Sequence, residues 1–288
     1  MRPRGKPASA ELAEWRRVAD ERAEPPHSDD AAATELDAGS VRVLRLVPPH
    51  VNSEYRVLYL HGGGFRRGSV TTYAAPLSRI ARHCGVPFYA VEYRLAPENP
   101  FPAALEDAFA AYRWLASHAG SAESVIIAGD SAGGGLAAAL LLKIAEEGLP
   151  RPGGAALFSP WVDLRLGSAS YNECATTDRL FSLSAAREAA EGYLAGAPAD
   201  DRFASPVLGD WSAQAPMLIQ ASELEVLRDD AIELARVAGE AGCAIDLVMF
   251  PDTQHIWHLE FPRTPQSVAA IDRLRDFVRD PAADDRVR

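Results

Sequence analysis

Four places in the chain carry groups able to attack a carbonyl or move a proton: Ser131 in Gly129-Asp130-Ser131-Ala132-Gly133, the glycines of His61-Gly62-Gly63-Gly64-Phe65, an acidic stretch with Glu223, Glu225, Asp229 and Asp230, and His255. A serine bracketed by small residues, after the apolar run Val125-Ile126-Ile127-Ala128 and before an Ala/Leu-rich run, reads as strand, sharp turn and helix. Such an elbow holds the Ser131 hydroxyl above a sheet, and side chains at Gly129 or Gly133 would collide with the neighbouring strand or helix. The amide of Ala132 then stands at a helix start, where negative charge is favoured. Gly62, Gly63 and Gly64 leave backbone N–H groups uncovered, so their loop can aim amides at a developing oxyanion. A phosphate-binding role for these glycines lacks the G-K-[ST] ending and a ribose-binding acid. An imidazole with an ordinary pKa near 6.5 can take a serine proton and return it around neutrality. Together these groups suit acyl transfer.

The elements that must position them follow from periodicity. Strands are expected at 41–47, 56–60, 86–93, 124–129, 154–158, 217–221 and 245–250, with helices at 71–84, 102–118 and from Gly133 onward. Strand and helix alternate, which predicts an α/β fold with a mostly parallel central sheet flanked by helices. Ligands of such sheets bind beyond the carboxyl ends of the strands, where His61 and Ser131 both fall. The acids and His255 also follow late strands. Ahead of the sheet, residues 9–23 place Leu12, Trp15 and Val18 or Ala19 at helical spacing with Ser9 as N-cap, ended by Pro25-Pro26. That helix either packs on the body or forms a lid over a pocket. Residues 27–40 read as loop, and 164–205 break the strand–helix rhythm. The division is therefore an N-terminal cap helix and linker over 1–40, a first core part over 41–163, a cap insertion over 164–205 and a second core part over 206–288.

The glycine loop, then Tyr93-Arg94-Leu95-Ala96-Pro97-Glu98 with Pro100-Phe101-Pro102-Ala103-Ala104-Leu105-Glu106-Asp107, then Gly129-Asp130-Ser131-Ala132-Gly133-Gly134, and later Ser159-Pro160-Trp161-Val162-Asp163, resemble in order and separation the bacterial hormone-sensitive-lipase-like family of α/β-hydrolases. The resemblance covers about residues 40–280. It implies an α/β-hydrolase fold, a cap from the N-terminus and an insertion, and hydrolysis of carboxylic esters. It implies Ser131 as nucleophile, His255 as general base, and the amides of Gly63, Gly64 and Ala132 as oxyanion hole. It implies Glu225 as the triad acid, at a position where the family usually carries aspartate. Glutamate there is a departure that a shifted loop can accommodate, with Asp229 as the alternative acid. His258 is the rival base, set deeper in the following segment. Phe65, Asp130, Phe181 and Tyr193 are candidates to contact substrate, and Phe203 and Trp211 are further aromatics that could line the pocket or simply pack. Glu225-Val226-Leu227 with His255-Ile256-Trp257-His258 is similar to lactone hydrolases of the family, so a lactone joins small esters as a substrate class.

Composition narrows the partners. With 29 Lys and Arg against 40 Asp and Glu, the net charge of -11 repels nucleic acid and anionic membranes. The basic start, Met1-Arg2-Pro3-Arg4-Gly5-Lys6, is followed by no apolar stretch, and no run approaches the ~20 apolar residues that span a bilayer, so a cytoplasmic protein is expected. Cys84, Cys174 and Cys243 are scattered and read as reduced, buried thiols. His255-x-x-His258 lacks the glutamate of H-E-x-x-H, so neither metal nor cofactor is expected. A homodimer through an edge strand or the last helices is compatible with the pattern. The same residues would also serve an acyltransferase or lyase, while a binding protein with a retired site would need none of them.

Overall fold

In Val125-Ile126-Ile127-Ala128 successive side chains enter opposite layers, Val125 and Ile127 one apolar cluster and Ile126 and Ala128 the other. The computed structural model describes residues 5–281; the Met1–Arg4 part of the basic start and the tail of the 206–288 segment lie outside the described residues. Eight strands form one sheet: β1 (Ala32–Ala38), β2 (Val41–Val47), β3 (Arg56–Leu60), β4 (Phe88–Val91), β5 (Val125–Asp130), β6 (Gly154–Phe158), β7 (Met217–Ser222) and β8 (Ile245–Phe250). Their order is β1-β2-β4-β3-β5-β6-β7-β8. β1 and β2 run antiparallel to their neighbours, and every pairing from β4 through β8 is parallel. β5 is buried along its whole length at the centre, as a parallel strand covered on both faces should be.

The helices are α1 (Ala10–Glu21), α2 (Val70–Cys84), α3 (Ala103–His118), α4 (Ala132–Glu146), α5 (Ser170–Glu173), α6 (Leu183–Leu194), α7 (Arg228–Glu240) and α8 (Pro265–Arg279). Leu77 and Ile80 of α2 and Ile271, Leu274 and Phe277 of α8 share one apolar layer with Val57 and Tyr59. Leu115 of α3, Leu136 and Leu140 of α4 and Leu234 of α7 share the other with Leu58 and Leu60. Each buried Leu or Ile contributes roughly 1.5–3 kcal/mol, so this double layer holds the strand ends in register.

The α/β architecture expected from the alternation, a mostly parallel sheet flanked by helices, is present. One boundary is corrected: residues 32–38, expected to be loop within the 1–40 segment, form β1, paired antiparallel to β2. As an edge strand most of its residues are exposed, so the apolar alternation that reveals a strand is missing. Residues 164–205 hold α5 and α6 and no strand. The three cysteines are free and buried. Among the described residues no helix is long and apolar enough to cross a membrane.

Candidate active site

β5 delivers Ser131 to the carboxyl edge of the sheet, and α4 begins at the next residue. Between them Ser131 takes φ 53° and ψ -124°, a conformation costing a side-chain-bearing residue about 1–3 kcal/mol. The surroundings impose it. Ser131 N donates to Phe158 O at 2.9 Å, while Ser131 O accepts from Gly135 N and Trp161 N, both at 3.0 Å. A Cβ on Gly133 would lie 2.1 Å from Leu60 O, and one on Gly129 would lie 2.4 Å from Gly133 O. Backbone cannot yield at those distances, so both positions require glycine.

The glycine loop leaves the end of β3 and is tied to the elbow from below. Asp130 Oδ1 accepts from Gly62 N at 3.1 Å and Tyr59 OH at 2.9 Å, and Oδ2 accepts from Tyr73 OH at 2.8 Å. Burial raises the Asp130 pKa to about 6, although the Tyr73, Tyr59 and Gly62 bonds and the His255 charge favour its ionised form. His61 is buried within the same loop, its ring stacked on Tyr93 and its carbonyl accepting from Tyr93 OH at 2.6 Å. Gly63 O accepts from Arg66 N and Arg67 N and closes the turn. The amides of Gly63 and Gly64 donate to no group among the described residues, and that of Ala132 belongs to the first turn of α4, where helices leave N–H groups unpaired.

His255 follows β8 and stands between the serine and an acid. Its Nε2 is 2.9 Å from Ser131 Oγ and its Nδ1 is 2.6 Å from Glu225 Oε2. Glu225 is fully buried, and its other oxygen accepts from Ser222 N at 2.9 Å. With Nδ1–H donated to the carboxylate, Nε2 is left to accept from the serine hydroxyl. Burial pushes the His255 pKa down, but the bonded Glu225 carboxylate outweighs it, and the net direction is above 6.5.

The other acids lie elsewhere. Asp229 accepts from Ser170 N and Arg228 Nε, Asp230 is buried under the amides of Val162 and Asp163, and Glu223 is exposed. His258 has Nε2 3.2 Å from Tyr59 OH and is stacked on Phe158; burial, with the His255 charge, lowers its pKa to about 3. Among the described residues no three His, Cys, Asp or Glu side chains are grouped to hold a metal ion.

A pocket of about 400 Å³ opens on Ser131, His255 and the glycine loop, walled by Trp15 of α1, Leu180, Phe181, Ala189 of α6 and Ile256. Phe181 lies parallel to the His255 ring at 5.8 Å. Three expected contacts are corrected, since Phe65, Asp130 and Tyr193 do not line this space. Phe65 and Tyr193 are buried face to face, with centroids 3.8 Å apart, and the Asp130 oxygens are taken by the tyrosines and Gly62. Of the other two aromatics, Trp211 is buried and bonds Pro206 O, while Phe203 lies under Lys143 and Arg202. Rings that satisfy one another have the same sequence signature as rings that face a ligand.

Spacing also gave no sign of Asp178. It accepts from Leu180 N, Phe181 N and Val226 N, at 2.9, 2.9 and 3.0 Å, and so joins the insertion to the acid loop. Arg16 is another such residue. Its guanidinium donates to Arg66 O at 2.8 Å and Ala96 O at 2.7 Å and pairs with Glu98, fixing α1 over the glycine loop.

Residues 57–259 match the family model described as the alpha/beta hydrolase fold. The chain belongs to the α/β-hydrolase family. An acetyl-hydrolase of Streptomyces hygroscopicus is 40% identical over 223 residues, 77% of this chain and 75% of that protein. An ethyl acetate hydrolase of Pseudomonas putida is 32% identical over 251 residues, 81% of this chain and 76% of that protein. A solved esterase of the bacterial hormone-sensitive lipase family superposes with a TM-score of 0.90 at 35% identity, covering 95% of this chain and 92% of the other. The resemblance drawn from the motifs is borne out, and this α/β-hydrolase is an enzyme of the carboxylesterase type.

Proposed function

We propose that the enzyme cleaves small carboxylic esters, lactones included as cyclic esters, through an acyl-enzyme on Ser131. The observation that carries this reading is the unbroken line Glu225–His255–Ser131, at 2.6 and 2.9 Å, beside three backbone amides with no partner of their own. Ser131 Oγ attacks the ester carbonyl carbon while His255 Nε2 takes the hydroxyl proton. Glu225 holds the ring in the tautomer that can accept and stabilises the imidazolium. The N–H groups of Gly63, Gly64 and Ala132 receive the oxyanion, each donor lowering the barrier by about 3 kcal/mol. The tetrahedral intermediate collapses by expelling the alcohol oxygen, which takes the proton from His255. Water then attacks the acyl carbon with His255 again as base, releasing the acid and restoring Ser131.

Transfer of the acyl group to another acceptor would use the same first half. Hydrolysis is favoured here by the names of the relatives, an acetyl-hydrolase and an ethyl acetate hydrolase. The test is hydrolysis of p-nitrophenyl esters from acetate to octanoate by the wild type beside Ser131→Ala. Turnover by the wild type, with a loss of about 10³-fold or more in the variant, is expected. Two folded proteins of equal, background rate would overturn the reading.

A further inference from the structure

We propose that the pocket is built for esters that carry a carboxylate a few atoms from the scissile carbonyl, with Arg67 as the group that binds it. This rests on the esterase reading and adds a substrate class to it. Directly after the glycine loop the chain places Phe65-Arg66-Arg67-Gly68, and both arginines line the same pocket as Ser131 and His255. Their situations differ. Arg66 is neutralised by Glu188 of α6, Nη1 to Oε1 at 2.5 Å.

Arg67 forms no ion pair and no side-chain hydrogen bond among the described residues, and its Nε is buried without a partner. Its close companion is the Trp15 ring, 4.6 Å from Cζ. The charges that act on it are those of Arg66, Glu188 and Glu11. Glu188 is engaged by Arg66, and Glu11 is exposed on α1. Arg45 and Arg56 also hold a buried guanidinium nitrogen without a partner, but neither lines this pocket; Arg16, Arg94 and Arg228 have the carboxylates of Glu98, Asp107 and Glu173.

A guanidinium partly withdrawn from water without a counter-ion costs stability. Burial, with repulsion from Arg66, accordingly pushes the Arg67 pKa down. A general excess of positive charge does not account for the residue, since the chain carries a net -11. What would compensate the cost is an anion brought by the ligand. The planar fork of arginine matches a carboxylate with two parallel N–H···O bonds, and stacking on Trp15 restricts the plane in which that fork lies. Leu180, Phe181, Ala189 and Ile256 offer an apolar surface for the carbon frame. Half-esters of dicarboxylic acids, or esters of hydroxy and phenolic acids, have this shape.

The test compares kcat/KM for charged and neutral esters. Mono-p-nitrophenyl glutarate against p-nitrophenyl pentanoate probes a carboxylate on the acyl side, and 4-acetoxybenzoate against p-tolyl acetate probes the alcohol side. In at least one pair the wild type is expected to favour the anion by about tenfold or more, a preference that weakens at high salt. Arg67→Gln is expected to cut the charged-to-neutral ratio by about tenfold, with Arg67→Lys in between; a ratio, unlike a rate, does not move with the amount of folded enzyme. A ratio at or below one in both pairs, or one unchanged by Arg67→Gln, would overturn the proposal while turnover of the neutral esters leaves the esterase reading standing. If no ester is turned over, that reading fails separately, and calorimetric titration of glutarate into wild type and Arg67→Gln decides the anion site. Binding weakened about tenfold in the variant supports it, and equal or undetectable binding in both rejects it.

Discussion

Beneath Ser131, the Asp130 carboxylate, two tyrosine hydroxyls and the Gly62 amide are all committed to one another. At the pocket mouth, α1 buries none of its residues and meets the body through Arg16, through Asp20 on Ser69 and through Trp15 on Arg67. The wall from α6 is similar, with the largely exposed Glu188 pairing with Arg66. In the first region a Cβ added at Gly129 or Gly133 would meet backbone at 2.4 or 2.1 Å, which leaves no choice of residue there. In the second, side chains of many kinds would serve. The reaction is thus built where the fold is least able to vary, and the choice of substrate where variation costs least.

The largest effect expected from breaking this contrast is at Glu225. Exchange for Gln leaves a neutral amide at His255 Nδ1, no longer fixing the reactive tautomer, and kcat should fall by about 10³–10⁴-fold. Its pH profile adds a second readout. The base works as neutral imidazole and its pKa lies above 6.5, so the wild-type kcat/KM should drop as pH falls through a value above 6.5. Without the carboxylate the lowering by burial prevails and the limb should move to lower pH. The sign for stability is opposite to that for activity: a raised histidine pKa stabilises the fold below the unfolded value and loses that contribution as pH rises through the folded one. A Glu225→Gln enzyme with wild-type kcat and an unmoved limb would remove the residue from the reaction.

A smaller loss is expected at Asp130. In Asp130→Asn one oxygen becomes an NH₂ group facing hydroxyls and an amide that need acceptors. The glycine loop should loosen, lowering kcat about 10–100-fold with KM little changed, whereas a variant with full kcat would show that the two loops hold each other without this carboxylate. The smallest effect belongs to the mouth. Trp15→Ala, at a residue 44% exposed, should raise KM a few-fold, about 1 kcal/mol, with kcat nearly constant and thermal stability within the small range of surface changes. A fall in kcat as large as that of Asp130→Asn would erase the distinction between centre and mouth.

The same contrast governs what the sequence made legible. Ser131, its flanking glycines and the glycine loop are dictated by close backbone approach, which admits few residues and so leaves a readable pattern. Sheet and helices are readable because β3 to β7 are continuous buried apolar runs with helical segments between them. Choosing among Glu223, Glu225, Asp229 and Asp230 required the direction in which the turn after β7 aims each carboxylate, and spacing carries no such direction. β1, an exposed edge strand, has no apolar face to display, and Phe65 and Tyr193 read as pocket wall because mutual stacking and ligand contact call for the same side chains. Arg67 carries no mark in the sequence, since an arginine reveals its significance only through the partners it lacks.

The polar attachment of α1 also has a kinetic meaning. Free energy of local opening scales with the apolar area an element shares with the core, and α1, which buries no residue fully and is held largely by polar contacts, is expected to open before the sheet does. Because Trp15 is part of the pocket wall, each detachment unroofs the chamber above Ser131. Amide exchange along α1 is accordingly expected to outpace that of β3 and β5, and a substitution that ties α1 down, leaving the atoms around Ser131 in place, should slow entry of ester and escape of acid.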